Sequence, residues 1–317
     1  MLSLLEADMA EVDRVIRERL HSDVALVRQV SEYIIHCGGK RLRPALVVMA
    51  AKALNYEGVL HHEMAAVVEF IHTATLLHDD VVDASDLRRG RDTANALFGN
   101  ATSVLVGDFL YSRAFQMMVS TNNMRVMEVL SDATNIIAEG EVLQLMNCND
   151  PDINEADYLR VIRYKTAKLF EAAGRLGAIV NNSPRVTEDA LGNFGMHLGT
   201  AFQIIDDVLD YSGDTDLIGK NVGDDLSEGK PTLPLLFAMK NGTPEEASII
   251  RKAIEEGDSS NFQKILEIVQ RTGALDHAHQ QAEAESALAQ AALSAIPSSQ
   301  HKDALLELSA FAVTRGF

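Results

Sequence analysis

The apolar residues of this chain recur at helical spacing almost from its first position. Leu4, Leu5, Met9, Val12 and Val15 form a stripe with charged residues between them, the pattern of a helix that buries one face. The same period returns at 44–55, where Pro44 falls in a first turn that tolerates it. It then runs through 64–82, 103–119, 131–147, 158–180 and 191–211, each read as an apolar helix. The breaks are polar. They lie around 37–40, at 86–95, at 149–157, at 181–184, over a Gly- and Asp-rich stretch at 212–230, and at 255–261. Residues 235–240 and several amphipathic helices complete the chain.

Composition supports this picture. Hydrophobic residues make up 47% of 317, Trp is absent and aromatics are only 5%. Ala, Leu, Glu and Met favour helices. The seven prolines are scattered, and no Gly/Ser/Pro-rich linker divides the chain. The expectation is an all-α protein with one domain spanning 1–317.

Charge narrows the partners. The formal net charge is −18, from 28 basic and 46 acidic residues. Such a field repels nucleic acid, so no nucleic-acid partner is expected. A polyanionic substrate binds only where cations reverse the local sign. Cys37 and Cys148 are too few and too isolated for a disulfide framework. The N-terminal segment is amphipathic and acidic, unlike a signal peptide. No window approaches about 20 apolar residues. A cytoplasmic protein without stable membrane insertion is therefore expected.

The candidate chemistry lies in two carboxylate clusters. The first, HDDVVD, contains Asp79, Asp80 and Asp83, and the second, IIDDVLD, contains Asp206, Asp207 and Asp210. In each, the first and last aspartates stand four residues apart and share a helix face. Like charges at that spacing, at the negative end of a helix, are unfavourable unless a cation compensates. Hard oxygen ligands suit Mg²⁺. One such cluster is weak evidence. Two copies, each closing an apolar helix and each followed by basic residues, are much stronger. Arg88 and Arg89 follow the first, and Lys220 and Lys230 follow the second. A third basic group, GGKRLRP, carries Lys40, Arg41 and Arg43. Lys and Arg are the phosphate-binding side chains, so acids and bases together suggest two diphosphate pockets.

With these motifs the chain resembles the trans-isoprenyl diphosphate synthases. The shared features are GGKRLRP, DDVVD followed by RRG, Lys165-Thr166, FQIIDDVLD and GKNVGDDLSEGKPTLP, across about residues 30 to 240. EFIHTATLLHDDVVDASDLRRG and AEGEVLQLMN further resemble bacterial members that make an octaprenyl chain. The resemblance implies a homodimer of helical bundles, each around a deep central cavity of the isoprenoid synthase type. It implies that Asp79, Asp83 and Asp206 bind Mg²⁺, with Asp80, Asp207 and Asp210 in supporting positions. Lys40, Arg43, His72 and Arg89 match the isopentenyl diphosphate site. Arg88, Lys165, Thr166, Gln203, Lys220 and Lys230 match the allylic diphosphate site. The family's often basic C-terminal end has no counterpart in Thr314-Arg315-Gly316-Phe317.

The implied reaction ionises the allylic diphosphate, condenses the cation with isopentenyl diphosphate, and eliminates a proton. Stabilising the departing diphosphate is the main task, and water must be kept out. The allylic primer expected is farnesyl diphosphate. The expected product is a long all-trans polyprenyl diphosphate, most simply octaprenyl, of the kind used for ubiquinone side chains and delivered to a membrane. Ala74 and Thr75 lie roughly 6–8 Å along the helix before Asp79. Both are small; ordinary helix packing is an equal reading of these two positions, and the wider family resemblance favours a tunnel for a long product. Met117, Met118 and Leu143 are candidates for the deeper tunnel wall, and for each of them core packing is an equal reading. Rival expectations are farnesyl, geranylgeranyl or solanesyl products, a non-catalytic subunit of a heteromeric synthase, and a terpene cyclase. The last would not need Lys40, Arg43 and Arg89.

Overall fold

The computed structural model describes residues 2–36, 39–88, 90–211 and 223–314. Cys37, Gly38, Arg89, Lys220 and the terminal 315–317 lie outside the described residues. Helices dominate: α1 (Leu2–Arg19), α2 (Ala25–His36), α3 (Leu42–Ala53), α4 (Leu60–Val82), α5 (Ala94–Phe98), α6 (Asn100–Ser120), α7 (Met124–Asn147), α8 (Glu155–Ile162), α9 (Lys168–Val180) and α10 (Arg185–Leu209). They continue with α11 (Asp224–Ser227), α12 (Leu233–Asn241), α13 (Pro244–Glu256), α14 (Phe262–Arg271), α15 (Ala274–Ala292) and α16 (Gln300–Thr314). The all-α expectation holds, with element ends moved by up to seven residues, the largest at the start of α7.

Three local differences from the sequence reading matter. The polar run at 86–95 is not simply a loop. Two-residue strands β1 (Leu87–Arg88) and β2 (Arg91–Asp92) pair antiparallel, Arg88 opposite Arg91. The stretch 158–180 is not one α-helix, because Arg163–Ala167 forms a π-helical turn between α8 and α9. Hydrophobic periodicity cannot reveal one widened turn, since its flanks remain helical. Finally, the 212–230 loop contains α11.

The helices group into two compact units, neither a continuous stretch of chain. The first is built from the described parts of Met1–Thr134, Leu169–Gly195 and Ala292–Leu308. In its core α4 packs against α1, α3 and α6. Val67, Val68, Phe70, Ile71, Ala74 and Leu77 of α4 are fully buried. Helix α9 lies close on α3: a Cβ on Gly177 would come within 2.4 Å of the Ala50 Cβ. Only glycine permits that approach.

The second unit is built from the described parts of Asn135–Lys168, Met196–Ala291 and Ser309–Phe317. It has two apolar clusters. One gathers Tyr158, Ile162, Ile204, Ile205, Val208 and Leu233. The other surrounds Tyr211, Leu226, Leu235, Ile254 and Ile265. Both flank the C-terminal half of α10, which carries the second aspartate cluster.

Candidate active site

The first cluster sits at the end of α4. Asp79 is in its last turn and Asp83 caps it, with the Asp83 N–H donating to the Asp79 carbonyl at 2.8 Å. The Ser85 N–H donates to the Asp80 carbonyl at 3.0 Å, while Ala84 takes a left-handed φ of 49°. This is a helix stop usually made with glycine. It holds Asp83 beside Asp79 on a half-buried face. Helix α4 has no basic residue in its last turn, so the compensating charge comes from the hairpin. Arg88 reaches the fully buried Asp80, with Nε at 2.8 Å and Nη2 at 2.6 Å from the same oxygen, Oδ1. The other oxygen, Oδ2, is buried and has no hydrogen-bond partner among the described residues.

Helix α3 supplies a basic end in the same unit. Its N-cap, Arg41, adopts a left-handed φ of 48° and gives no side-chain cap. That conformation costs about 1 kcal/mol or more for a non-glycine residue. It is held by an Arg41–Glu69 ion pair of 2.6 Å. The first turn contains no acid, so nothing in it offsets the positive end of the helix dipole, beside which stand Lys40 and Arg43. Such an end attracts phosphate. Arg43 Nη1 donates to His72 Nε2 at 3.1 Å, and its guanidinium lies 4.4 Å from the Phe170 ring centre. Thr75 donates its hydroxyl to the His72 carbonyl at 2.8 Å. It therefore offers no unsatisfied donor to an apolar neighbour.

The second cluster occupies the last turns of α10, where Asp206 is half-buried and Asp207 and Asp210 are buried. Asp207 is held by neutral groups. Tyr158 donates to its Oδ2 at 2.7 Å and Gln203 to its Oδ1 at 2.9 Å. Thr166 in turn donates to Gln203 Oε1 at 2.9 Å. Burial, and then the nearby Asp225 carboxylate, push Asp207 up to about 8. Asp210 accepts the backbone N–H groups of Gly223 and Asp225, both at 3.3 Å, and so also anchors the start of α11. Lys230 closes that helix through its N–H to the Asp225 carbonyl at 2.8 Å, and its ammonium pairs with Glu228.

Lys165 and Thr166 both lie in the π turn, and a glycine lets α7 approach it. A Cβ on Gly140 would fall 2.6 Å from the Lys165 nitrogen. The next residue, Glu141, pairs with the Lys165 ammonium at 2.6 Å. The remaining expected positions divide by burial. Ala74, Met117 and Met118 have almost no accessible surface, whereas Thr75 and Leu143 retain some. Sequence reasoning counted Arg41 only within a basic group and did not assign roles to Tyr158, Asp225 or Glu141. Tyr158 reads as an ordinary core residue.

Both clusters combine clustered carboxylates with nearby Lys, Arg or amide donors, the donor chemistry of a diphosphate–metal site. The polyprenyl synthetase family matches residues 24–271, and the chain belongs to that family. It is 56% identical over 313 residues to the octaprenyl diphosphate synthase of Escherichia coli (strain K12), covering 98% of this chain and 97% of that one. It is 51% identical over 315 residues to the octaprenyl diphosphate synthase of Haemophilus influenzae, covering 99% and 96%. Its fold is similar to the crystal structure of a polyprenyl synthase from Caulobacter crescentus CB15 complexed with calcium and isoprenyl diphosphate. That match has a TM-score of 0.96 at 48% identity, and covers 99% of this chain and 96% of the other.

Proposed function

We propose that this enzyme adds isopentenyl diphosphate units head-to-tail to an allylic diphosphate, with farnesyl diphosphate as primer and octaprenyl diphosphate as product. The observation that carries the product length is the 56% identity, along nearly the whole chain, to an octaprenyl diphosphate synthase. Farnesyl, geranylgeranyl and solanesyl products are less favoured on the same ground. A non-catalytic subunit is disfavoured because all six aspartates are present.

The residues fit a hard divalent cation. Asp79 and Asp83 share a face, Asp80 keeps a buried oxygen without a partner among the described residues, and burial makes a negative Asp207 costly. Asp79, Asp83 and Asp206 would hold Mg²⁺, which neutralises a departing diphosphate when bound. The chain's own residues do the rest. Lys40 and Arg43, with the uncapped end of α3, receive the isopentenyl diphosphate, and His72 positions Arg43. Arg89 belongs to the same proposal by sequence. Arg88, Lys165, Lys220 and Lys230 receive the allylic diphosphate. Thr166 and Gln203 form a hydrogen-bonded relay that orients Asp207. Thr75, with its hydroxyl turned back on its own helix, gives the growing chain an apolar surface. Ala74, Met117 and Met118 back that wall, and Leu143 belongs to the same proposal by sequence.

We also read residues 1–317 as one domain and the enzyme as a homodimer. Light scattering should return about twice the 34.6 kDa chain mass. No helix among the described residues is long and apolar enough to cross a membrane.

The deciding experiment incubates the purified chain with farnesyl diphosphate, labelled isopentenyl diphosphate and Mg²⁺, then sizes the product. An octaprenyl chain is expected. A shorter or longer product overturns the length, and no condensation in Mg²⁺ overturns the reaction.

A further inference from the structure

At the other end of α4 from the aspartates lies a cluster that prenyl transfer does not use. His61 and His62 sit in the first turn of α4, and Asp8 of α1 faces both. The separation along α4 from His62 to Asp79 is 17 residues (79 − 62), about 25 Å. We propose that Asp8, His61 and His62 form a second metal site, for a borderline transition ion of the Zn²⁺ class.

Geometry carries this. His62 Nε2 is 2.8 Å and His61 Nε2 is 3.3 Å from the same oxygen, Asp8 Oδ1. All three donor atoms lie within 4.8 Å of one another. Around a tetrahedral ion with bonds of about 2.0–2.1 Å, neighbouring donor atoms stand about 3.3 Å apart. The carboxylate–imidazole spacings are thus close to those a bound ion requires. Lys52 Nζ also approaches that oxygen, at 3.6 Å, so three nitrogen groups compete for one acceptor. One divalent ion would satisfy both imidazoles and the carboxylate together. Two nitrogens and one oxygen select Zn²⁺, Co²⁺ or Ni²⁺ over Mg²⁺.

Two features set the strength. Both Nδ1 atoms are buried without a hydrogen-bond partner among the described residues, so the rings lack the outer acceptor that usually strengthens such ligands. The Lys52 ammonium opposes an incoming cation, but its side chain is 27% exposed and has room to turn outward. The site therefore binds more weakly than a closed structural zinc site, and removing Lys52 strengthens it.

Untagged, full-length enzyme titrated with Co²⁺ in millimolar Mg²⁺ tests this. Mg²⁺ occupies the all-oxygen aspartate sites, whereas Co²⁺ on two imidazoles and a carboxylate gives an intense visible band. One equivalent should saturate the band, and Zn²⁺ should bleach it. His62→Gln should weaken binding at least tenfold. Asp8→Asn, at a more exposed position, should do the same and serves if His62→Gln does not fold. Lys52→Gln should tighten binding several-fold, a sign that a purely structural cluster would not give. A wild-type chain with no saturable band, or a band of unchanged affinity in Asp8→Asn, overturns the proposal.

Discussion

Asp80 and Asp207 hold the same place in two identical aspartate spacings, and both are buried, yet they are neutralised in different ways. Asp80 faces a guanidinium from a hairpin eight residues on. Asp207 faces a tyrosine hydroxyl and a glutamine amide, both uncharged. A buried carboxylate needs a partner, and a permanent cation meets that need whatever else is bound. Neutral donors meet it only in part, so burial, and then the nearby Asp225 carboxylate, still push Asp207 upward. The same five-residue spacing thus builds one cluster whose middle carboxylate has a protein cation as partner and one whose middle carboxylate is held by neutral donors.

The largest effect tests whether the clusters nonetheless act together. Asp79→Ala and Asp206→Ala should each lower kcat/KM by at least about a thousandfold, with little loss of stability. The double variant should fall less than about tenfold below the worse single, because groups acting as one unit are strongly non-additive. Fully multiplicative losses in steady-state assays would assign the clusters to separate steps. Next comes Arg88→Met. It strands Asp80 as a buried unpaired charge, at a cost of about 3–5 kcal/mol measured by denaturant titration. Asp80→Asn in the same chain should recover most of that loss, and no recovery would mean that Arg88 acts by packing.

Gly140→Ala probes the second cluster alone. Its Cβ would meet backbone of the π turn, and overpacking of this kind costs about 1–3 kcal/mol. Displacing Lys165 and Thr166 should raise the KM for the allylic diphosphate more than that for isopentenyl diphosphate. Equal changes in both would detach the π turn from the allylic site.

The clusters themselves, their helices and the α3 basic motif were legible in sequence, because periodicity and spacing are local properties. What neutralises each cluster was only half legible. Arg88 follows Asp80 by eight residues, so their pairing is nearly local. Tyr158 precedes Asp207 by 49 residues and differs in no way from a core aromatic until the chain folds. The π turn was hidden for another reason. It changes the phase of one turn while leaving an apolar stripe on either side, so the period still reads as one helix. Arg41 was hidden because a left-handed backbone is expected at glycine or asparagine and gives no sign at arginine.

Tyr158→Phe is the finest test of the difference between the clusters. It removes one hydroxyl from a fully packed position and leaves Gln203 on the other oxygen of Asp207. If the partners of Asp207 are neutral, the loss is that of one buried hydrogen bond and its unsatisfied acceptor, about 1–2 kcal/mol. That is well below the loss expected for Arg88→Met. The loosened carboxylate should still raise the Mg²⁺ concentration for half-maximal activity by roughly tenfold, as disturbed groups behind a metal ligand do. A stability loss matching that of Arg88→Met would mean that Tyr158 carries the weight of a cation, and the contrast between the two clusters would fail.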